Sequence, residues 1–510
     1  MKVISYSNKD LDNKITQEKP DASVNWWATL GISMGVFIFA LDVYIVNLAL
    51  PRMVESLHTS FATIQSVVLS YLLAIAIFVL SVTQLGDIFS KKQLYIIGLI
   101  VFTISSLLCG LAPSIGFLLA FRFLQGLGAA FLAGLGTAMI VEVFPPEQRG
   151  FGLGIRSAVF GLGLSLGPTV GGLLINLGGW HLIFLVNVPI GIVTSLIVAY
   201  FVPPSVVNGT KYRFDIVGSF LLAQTLSCFI LSITLLQTQG FGSLGGLTLL
   251  IVSAISLVCF LLVETRLNQP MLNLEIFRSL DFSFGLVLRF LVNFVIAGAM
   301  FILPFFFELI KHYPTEKIGL LLAVPAIILV LTGPISGTLS DRFGSRVISL
   351  IGLVLMAFGC LFLSTFNSEL SVYKYIIYIF PYAIGVGMFQ SPNNSAIIGT
   401  APKDNLGLAS GLLSLSRILG QMLGVPLVGA FFSLVTMKSA QLALNIDVTN
   451  APLEALIFGM QTSFRAIAVL LFTSVIVATF VSLQSCHMSS TKLSDIDSEL
   501  TDGSGKGSKT

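Results

Sequence analysis

The chain has 510 residues, of which 55% are hydrophobic and only 10% are Asp, Glu, Lys or Arg. A soluble domain carries about 25% charged residues to face water, so this composition excludes a soluble enzyme and a disordered scaffold and requires a membrane-embedded chain. The formal net charge of +3 is too small for a basic nucleic-acid surface.

A spanning helix needs about 20 mostly apolar residues. The first 25 residues are polar, so the first apolar run reads as a span and not as a cleaved signal. In chain order the runs fall at 28–50, 64–85, 93–112, 117–141, 152–174, 181–202, 215–237, 243–264, 285–308, 317–338, 347–366, 374–398, 407–433 and 465–484. These fourteen spans predict an all-α membrane protein. Residues 1–27 form an N-terminal tail, 28–202 a six-helix bundle, 203–284 a linker with two extra spans, 285–484 a second six-helix bundle, and 485–510 a disordered tail.

Orientation follows from Lys and Arg in the short loops. With the N-terminus cytoplasmic, seventeen of the 27 Lys and Arg lie in inner loops and tails, against six outside, among them Arg52, Lys311 and Arg465. Both termini are therefore expected in the cytoplasm. The five cysteines show no CxxC spacing and the four histidines form no ligand pair, so neither a metal site nor a cofactor is expected. The stretch 163–167, GLSLG, formally matches a nucleophile elbow, but it lies within an apolar run without a preceding strand and reads as coincidence. No GxxxxGK[ST] loop supports ATP-driven work.

Two short loops repeat. Residues 86–92, GDIFSKK, follow the second span, and 340–346, SDRFGSR, follow the tenth. The loops at 145–150, PPEQRG, and 401–407, APKDNLG, correspond in the same way after the fourth and twelfth spans. Spans 1–6 and 9–14 thus read as two copies of one unit, with spans 7 and 8 inserted. Related six-helix halves point to alternating access around a site at the midplane.

Four further stretches carry a resemblance: LDVYIVNLALP at 41–51, RFLQGLGAA at 122–130, GLSLGPTVGG at 163–172 and WHLIFLVNVPIG at 180–191. With the repeated loops, and over about residues 30–430, the chain resembles the major facilitator superfamily, and its span count resembles the fourteen-helix drug:proton antiporter branch. The resemblance implies a proton-driven, plasma-membrane exporter of amphipathic toxic compounds with no cofactor, acting as a monomer in a bacterial inner membrane, with a periplasmic adaptor left open. An exporter or importer of one metabolite, and a non-transporting sensor, are the competing classes. The sequence departs from the family pattern at Tyr44, Ser90, Lys91 and His181.

Asp42 falls near the middle of the first span, where an ionised carboxylate is costly and usually functional. It is the candidate for proton coupling and for binding a cationic substrate in competition with the proton, with helix bracing as the alternative. Arg122 has two open readings, snorkelling to the interface or tuning a nearby acid, and the resemblance favours coupling. Gln125 lies one turn deeper on the same face as a candidate substrate contact. Gly163, Gly167 and Gly171 recur every four residues beside Pro168 and Gly172, a stripe that either lets the two halves pack closely and seals the inward side or serves ordinary small-residue packing. Gly86, Asp87, Lys91, Lys92 and Arg149, with Asp341, Arg342, Gly344 and Arg346, form a candidate charge latch. Glu308, after Phe305, Phe306 and Phe307, has two readings, an interfacial glutamate or a recruiter of cationic substrate beside an aromatic wall. Arg289 and Arg417 are placed in the bundle interior without assigned partners.

Overall fold

The computed structural model describes residues 25–145, 149–204, 214–239, 243–267, 271–272, 274–400, 406–441 and 448–504. The loop residues 146–148 and 401–405 of the second repeated pair lie outside them. Among the described residues, fourteen helices are long and apolar enough to cross a membrane. The first half comprises α1 (Trp26–Ser56), α2 (Phe61–Ile88), α3 (Lys91–Gly110), α4 (Ile115–Val143), α5 (Arg149–Gly178) and α6 (Leu182–Phe201). Two inserted helices follow, α7 (Ile216–Gln239) and α8 (Leu244–Glu264). The second half comprises α9 (Leu280–Phe305), α10 (Thr315–Phe343), α11 (Ser345–Leu363), α12 (Val372–Thr400), α13 (Leu406–Ser439) and α14 (Leu453–Ser504).

Local chemistry sets several of these ends. Asn25 and Ser60 cap α1 and α2 by accepting from the backbone N–H of Ala28 and Thr63 at 3.0 and 3.1 Å. Ser243 and Ser279 do the same for α8 and α9. In α6, Pro189 has no N–H to offer the Leu185 carbonyl, and the helix breaks for one residue at Val186. Pro304 precedes a π-helical turn, Phe306–Ile310, which ends α9.

Two sequence readings change at the C-terminal end. The last helix starts at Leu453, so Arg465 is a residue of the helix and not of a loop. The same helix runs to Ser504, where a disordered tail was expected from 485. No proline or glycine interrupts the backbone ladder between 482 and 502.

The halves are built alike. In the first, α1 packs on α5, α2 on α4, α3 on α4, and α3 on α6; in the second, α9 packs on α13, α10 on α12, α11 on α12, and α11 on α14. Each α3/α4-type crossing is a glycine contact. A Cβ on Gly128 would lie 2.8 Å from the Gly98 carbonyl oxygen, and one on Gly352 2.8 Å from that of Gly385. The halves meet through α5 with α10 and α2 with α13, which exchange under the same two-fold relation. Of the inserted pair, α7 lies against α2, tied there by the Asp215 N–H donating to Gln84 Oε1 at 3.2 Å, and α8 packs on α7.

The repeated turns differ in one respect. Gly344 sits at φ +87°, ψ 141°, which is open to glycine alone, whereas Phe89 and Ser90 both have negative φ. Serine at position 90 is therefore accommodated without strain. Gly344→Ala is expected to lower thermal stability by about 1–3 kcal/mol, and Ser90→Gly to change it far less. Detergent-phase melting of both variants checks this.

Candidate functional site

Asp42 is halfway along α1 and 0% exposed. Arg122 Nη1 donates to its Oδ2 at 2.6 Å, and Gln125 Nε2 and Asn187 Nδ2 donate to its Oδ1 at 3.0 and 3.1 Å. Arg122 and Gln125, three residues apart, share one face of α4, and Arg122 Nη1 also donates to Gln125 Oε1 at 2.6 Å. The other side of the guanidinium is satisfied by the Val67 carbonyl at 3.2 Å and covered by the Tyr71 ring at 4.1 Å. Gln125 reaches Ser106 Oγ at 2.8 Å. One ion pair thus gathers α1, α2, α3, α4 and α6.

This geometry settles two open readings and corrects a third. Arg122 is 1% exposed and paired with an acid, so it does not snorkel. Asp42 does brace helices, because both its oxygens are engaged. Asp42 and Gln125 were also expected to contact substrate, yet both are 0% exposed with their polar atoms committed to neighbours. Asn187 appeared in the sequence only within the 180–191 stretch. An asparagine inside an apolar span, two residues before a proline, was the signal for its role.

Most of the glycine stripe packs within its own half. Added Cβ atoms on Gly163, Gly167 and Gly171 would meet α1 of the same half, at Phe37, Leu41 and Ile45. The period of four places these glycines on one face, and that face carries α5 against the segment of α1 that bears Asp42. Gly172 alone among them meets the other half, where its Cβ would lie 3.0 Å from Glu316 Cα on α10. Pro168 takes part there too, its carbonyl closing on Gly319.

That contact lies at the end of the molecule away from the start of α1, here called the far end; the opposite end, where α1 begins, is the tail end. At the far end Arg52 Nε lies 3.2 Å from Glu308 Oε1 and donates to Thr315 Oγ1 at 3.4 Å, joining α1 to the end of α9 and the start of α10. Glu308 is therefore a link between halves, not an open recruiter of substrate. Phe61 of α2 wedges beside it among Phe301, Phe305 and Phe432. Towards the tail end the two helices still touch where a Cβ on Gly161 would lie 2.9 Å from Val330 Cγ2; beyond that, a Cβ on Gly333 would touch nothing, and one on Gly337 only Ser391 of its own half. The far end is shut between α5 and α10, and their contact continues to Gly161 and Val330.

Glu308→Gln removes an ion pair that is partly exposed and contributes at most about 1 kcal/mol. It is expected to increase far-side thiol labelling of a Phe61→Cys reporter by up to about fivefold, the population shift that such an energy allows. Unchanged labelling would show that the pair does not hold the far end shut.

The tail-end charges pair within halves. Lys91 Nζ meets Glu142 Oε1 at 2.8 Å, and Arg346 Nη2 meets Asp281 Oδ2 at 2.5 Å. Neither acid was expected as a partner, and neither pair crosses between halves. Gly86 packs on Leu135 of α4. Asp341 and Arg342 are exposed, Lys92 is half-buried in the first turn of α3, and the side chains of Asp87 and Arg149 lie outside the described residues. Arg289 Nε donates to the Leu413 carbonyl at 2.9 Å and its Nη1 to Asn394 Oδ1. Arg417 Nη1 donates to Gln421 Oε1 at 3.4 Å, beside the paired rings of Phe39 and Phe160, each 5.4 Å away. No cluster of metal-ligating side chains occurs among the described residues.

Comparison with known proteins agrees with this architecture. The family model described as Major Facilitator Superfamily matches residues 32–313 and 282–490. The chain is 30% identical to the riboflavin transporter RibZ of Clostridioides difficile, over 80% of this chain and 88% of that one. It is also 30% identical to the multidrug resistance protein Stp of Mycobacterium tuberculosis, over 79% of this chain and 74% of that one. Among solved structures, a bacterial homologue of the human lysosomal transporter Spinster superposes with a TM-score of 0.61 at 17% identity, covering 91% of this chain and 98% of that one.

Proposed function

Because the chain belongs to the major facilitator superfamily, and is a multi-pass membrane transporter and not an enzyme, we propose that it is a proton-coupled antiporter exporting amphipathic compounds by alternating access. The observation that carries this reading is the buried Asp42–Arg122 pair with its two amide donors. A carboxylate in that setting holds a structure together while ionised and releases it when protonated, because a neutral acid no longer offsets the guanidinium. Protonation is thus coupled to the packing of five helices in one half.

A mechanical route leads from that site to the gate. Asp42 is on α1, α1 lies on the glycine face of α5, and the far end of α5 meets α10 through Gly172 and Gly319. In the far-shut state Asp42 is ionised, and substrate leaves by passage to a far-open state. A proton that Asp42 then gains from the far side shifts α1 and α5 and restores the far-end contact, so that a proton enters as a compound leaves. Such motion of one bundle against the other around a fixed midplane site is the usual form of alternating access. In this reading both termini are cytoplasmic, the tail end faces the cytoplasm, the proton gradient supplies the energy without a cofactor, and the protein acts as a monomer in a bacterial inner membrane. The several resistance proteins among its relatives support a broad substrate range; the likeness to a riboflavin transporter favours a second reading, in which one metabolite is carried.

The test is flux in proteoliposomes with and without an imposed pH gradient, using a panel of amphipathic probes alongside riboflavin. Gradient-driven movement of several unrelated probes supports the first reading. Movement of riboflavin alone supports the second, and movement that ignores the gradient removes proton coupling.

A further inference from the structure

Three arginines lie inside the bundles without any acid. Arg289 and Arg417 are 8% and 9% exposed, and Arg156 has a fully buried Nε with no hydrogen-bond partner. None of them forms a salt bridge among the described residues. They converge: Arg289 donates to the Leu413 carbonyl, one turn from Arg417 on α13, and Arg417 lies against the ring of Phe160, one turn from Arg156 on α5. Arg122 does not add to this positive charge, because Asp42 cancels it.

Neutral partners orient these guanidiniums but leave their charge standing. Arg289 has a carbonyl and an amide, and Arg417 has one long bond to Gln421. Burying charge without a counter-charge is strongly unfavourable, and three like charges in one low-dielectric region make it worse. A counter-ion of negative charge relieves that cost. The surroundings also specify the rest of the ligand. Arg417 comes from α13 of the second half and lies against the Phe39–Phe160 ring pair of the first, so the positive site is lined by aromatic rings from across the interface. Tyr44 lies beside Arg417 and Gln421. The buried Tyr71 hydroxyl has no partner and lies within electrostatic reach of both Asp42 and Arg417.

We propose that the interface between the halves, at Arg417, Arg289 and Arg156 with Phe39 and Phe160, is a binding site for an amphipathic organic anion, one acidic group on an aromatic body. This replaces the cationic substrate expected while Asp42 was read as an open negative site. It rests on the transporter reading and narrows it to a charge class. Guanidinium groups suit carboxylate, sulfonate and phosphate oxygens geometrically, and the rings accept the apolar body. The energetics of exchange agree in sign: an anion leaving and a proton entering a negative interior both move with the membrane potential.

The test uses three probes sharing one ring system: 1-naphthoate, neutral 1-naphthamide and the 1-naphthylmethylammonium cation. Equilibrium dialysis against the full-length protein in detergent is expected to show naphthoate bound at least about tenfold more tightly than the amide, the scale of one charge-assisted hydrogen bond, and the cation weakest. Arg417→Gln and Arg289→Gln are expected to erase the preference while leaving amide binding within about threefold, which also reports that the variants are folded, and Arg417→Lys to keep part of it. Equal binding of the three probes, best binding of the cation, or an anion preference that survives both Gln variants would overturn the proposal. The source of the anion is read by competition. Displacement of naphthoate by lysophosphatidate at lower concentration than by fresh naphthoate assigns the site to an anionic lipid, and the reverse assigns it to a water-borne aromatic acid; both keep the anion site. Failure of the transporter reading is separable, because it appears as Arg417-dependent naphthoate binding without gradient-driven flux of any probe. Gradient-driven flux of the amide without naphthoate binding leaves the transporter and removes the anion site.

Discussion

Asp42→Asn is expected to abolish gradient-driven transport, with a loss of about a hundredfold or more, while Asp42→Glu retains part of it. Asparagine removes the titrating proton and the negative charge but keeps the shape. It leaves Arg122, 1% exposed, buried beside a neutral group, and an orphaned buried charge costs about 3–5 kcal/mol. The variant is therefore expected to melt earlier as well as fail in coupling. The double variant Asp42→Asn with Arg122→Gln separates the two effects, since it removes the orphaned charge. It should recover most of the lost melting temperature and none of the gradient dependence. Transport by the double variant at wild-type rate, measured at matched protein levels in inverted vesicles, would take Asp42 and Arg122 out of the coupling step and leave them as a brace.

Gly163→Val is expected to be the most damaging change in the glycine stripe. A Cβ there would stand 2.7 Å from the Phe37 carbonyl oxygen, 2.8 Å from Ala40 Cβ and 3.2 Å from the Leu41 backbone nitrogen. The obstacle is backbone, which cannot rotate away, so α1 must move, and overpacking of this kind costs about 1–3 kcal/mol or more. Because Asp42 follows directly on that segment, its carboxylate moves relative to Arg122. We expect transport to fall more than about tenfold, the equivalent of roughly 1.4 kcal/mol in the coupling step, with protein still reaching the membrane. Gly167→Val should be milder, since its nearest atoms lie at 3.2–3.3 Å. A stripe that worked by sealing the two halves together would give another order, with Gly172→Val the most damaging because Gly172 is the member that meets α10. Flux of the three variants, normalised to membrane protein, ranks them.

The sequence determined that this chain spans a membrane, how many times it does so, and that its outer six-span blocks are copies. Those properties follow from local quantities. A run of about 20 apolar residues is long enough to cross whatever its neighbours are, and a repeated loop such as 86–92 and 340–346 is visible without any contact. It also singled out Asp42 and Arg122, because charge inside a span is rare for energetic reasons alone.

What each of these groups touches was decided by the tertiary structure. Asp42 meets Arg122 from 80 residues away and Asn187 from 145. Helical period shows that Gly163, Gly167 and Gly171 share a face, and it does not show whether that face meets α1 or α10. Glu308 reads as an interfacial acid until Arg52 arrives from α1, and Arg156, Arg289 and Arg417 read as three unrelated cations until the halves come together. Hydropathy places a helix in the bilayer, but it does not choose the helix's neighbours, because lipid tails are as apolar as the side chains they would replace. Close packing at small residues and the pairing of buried polar groups make that choice, and both depend on residues distant in the chain.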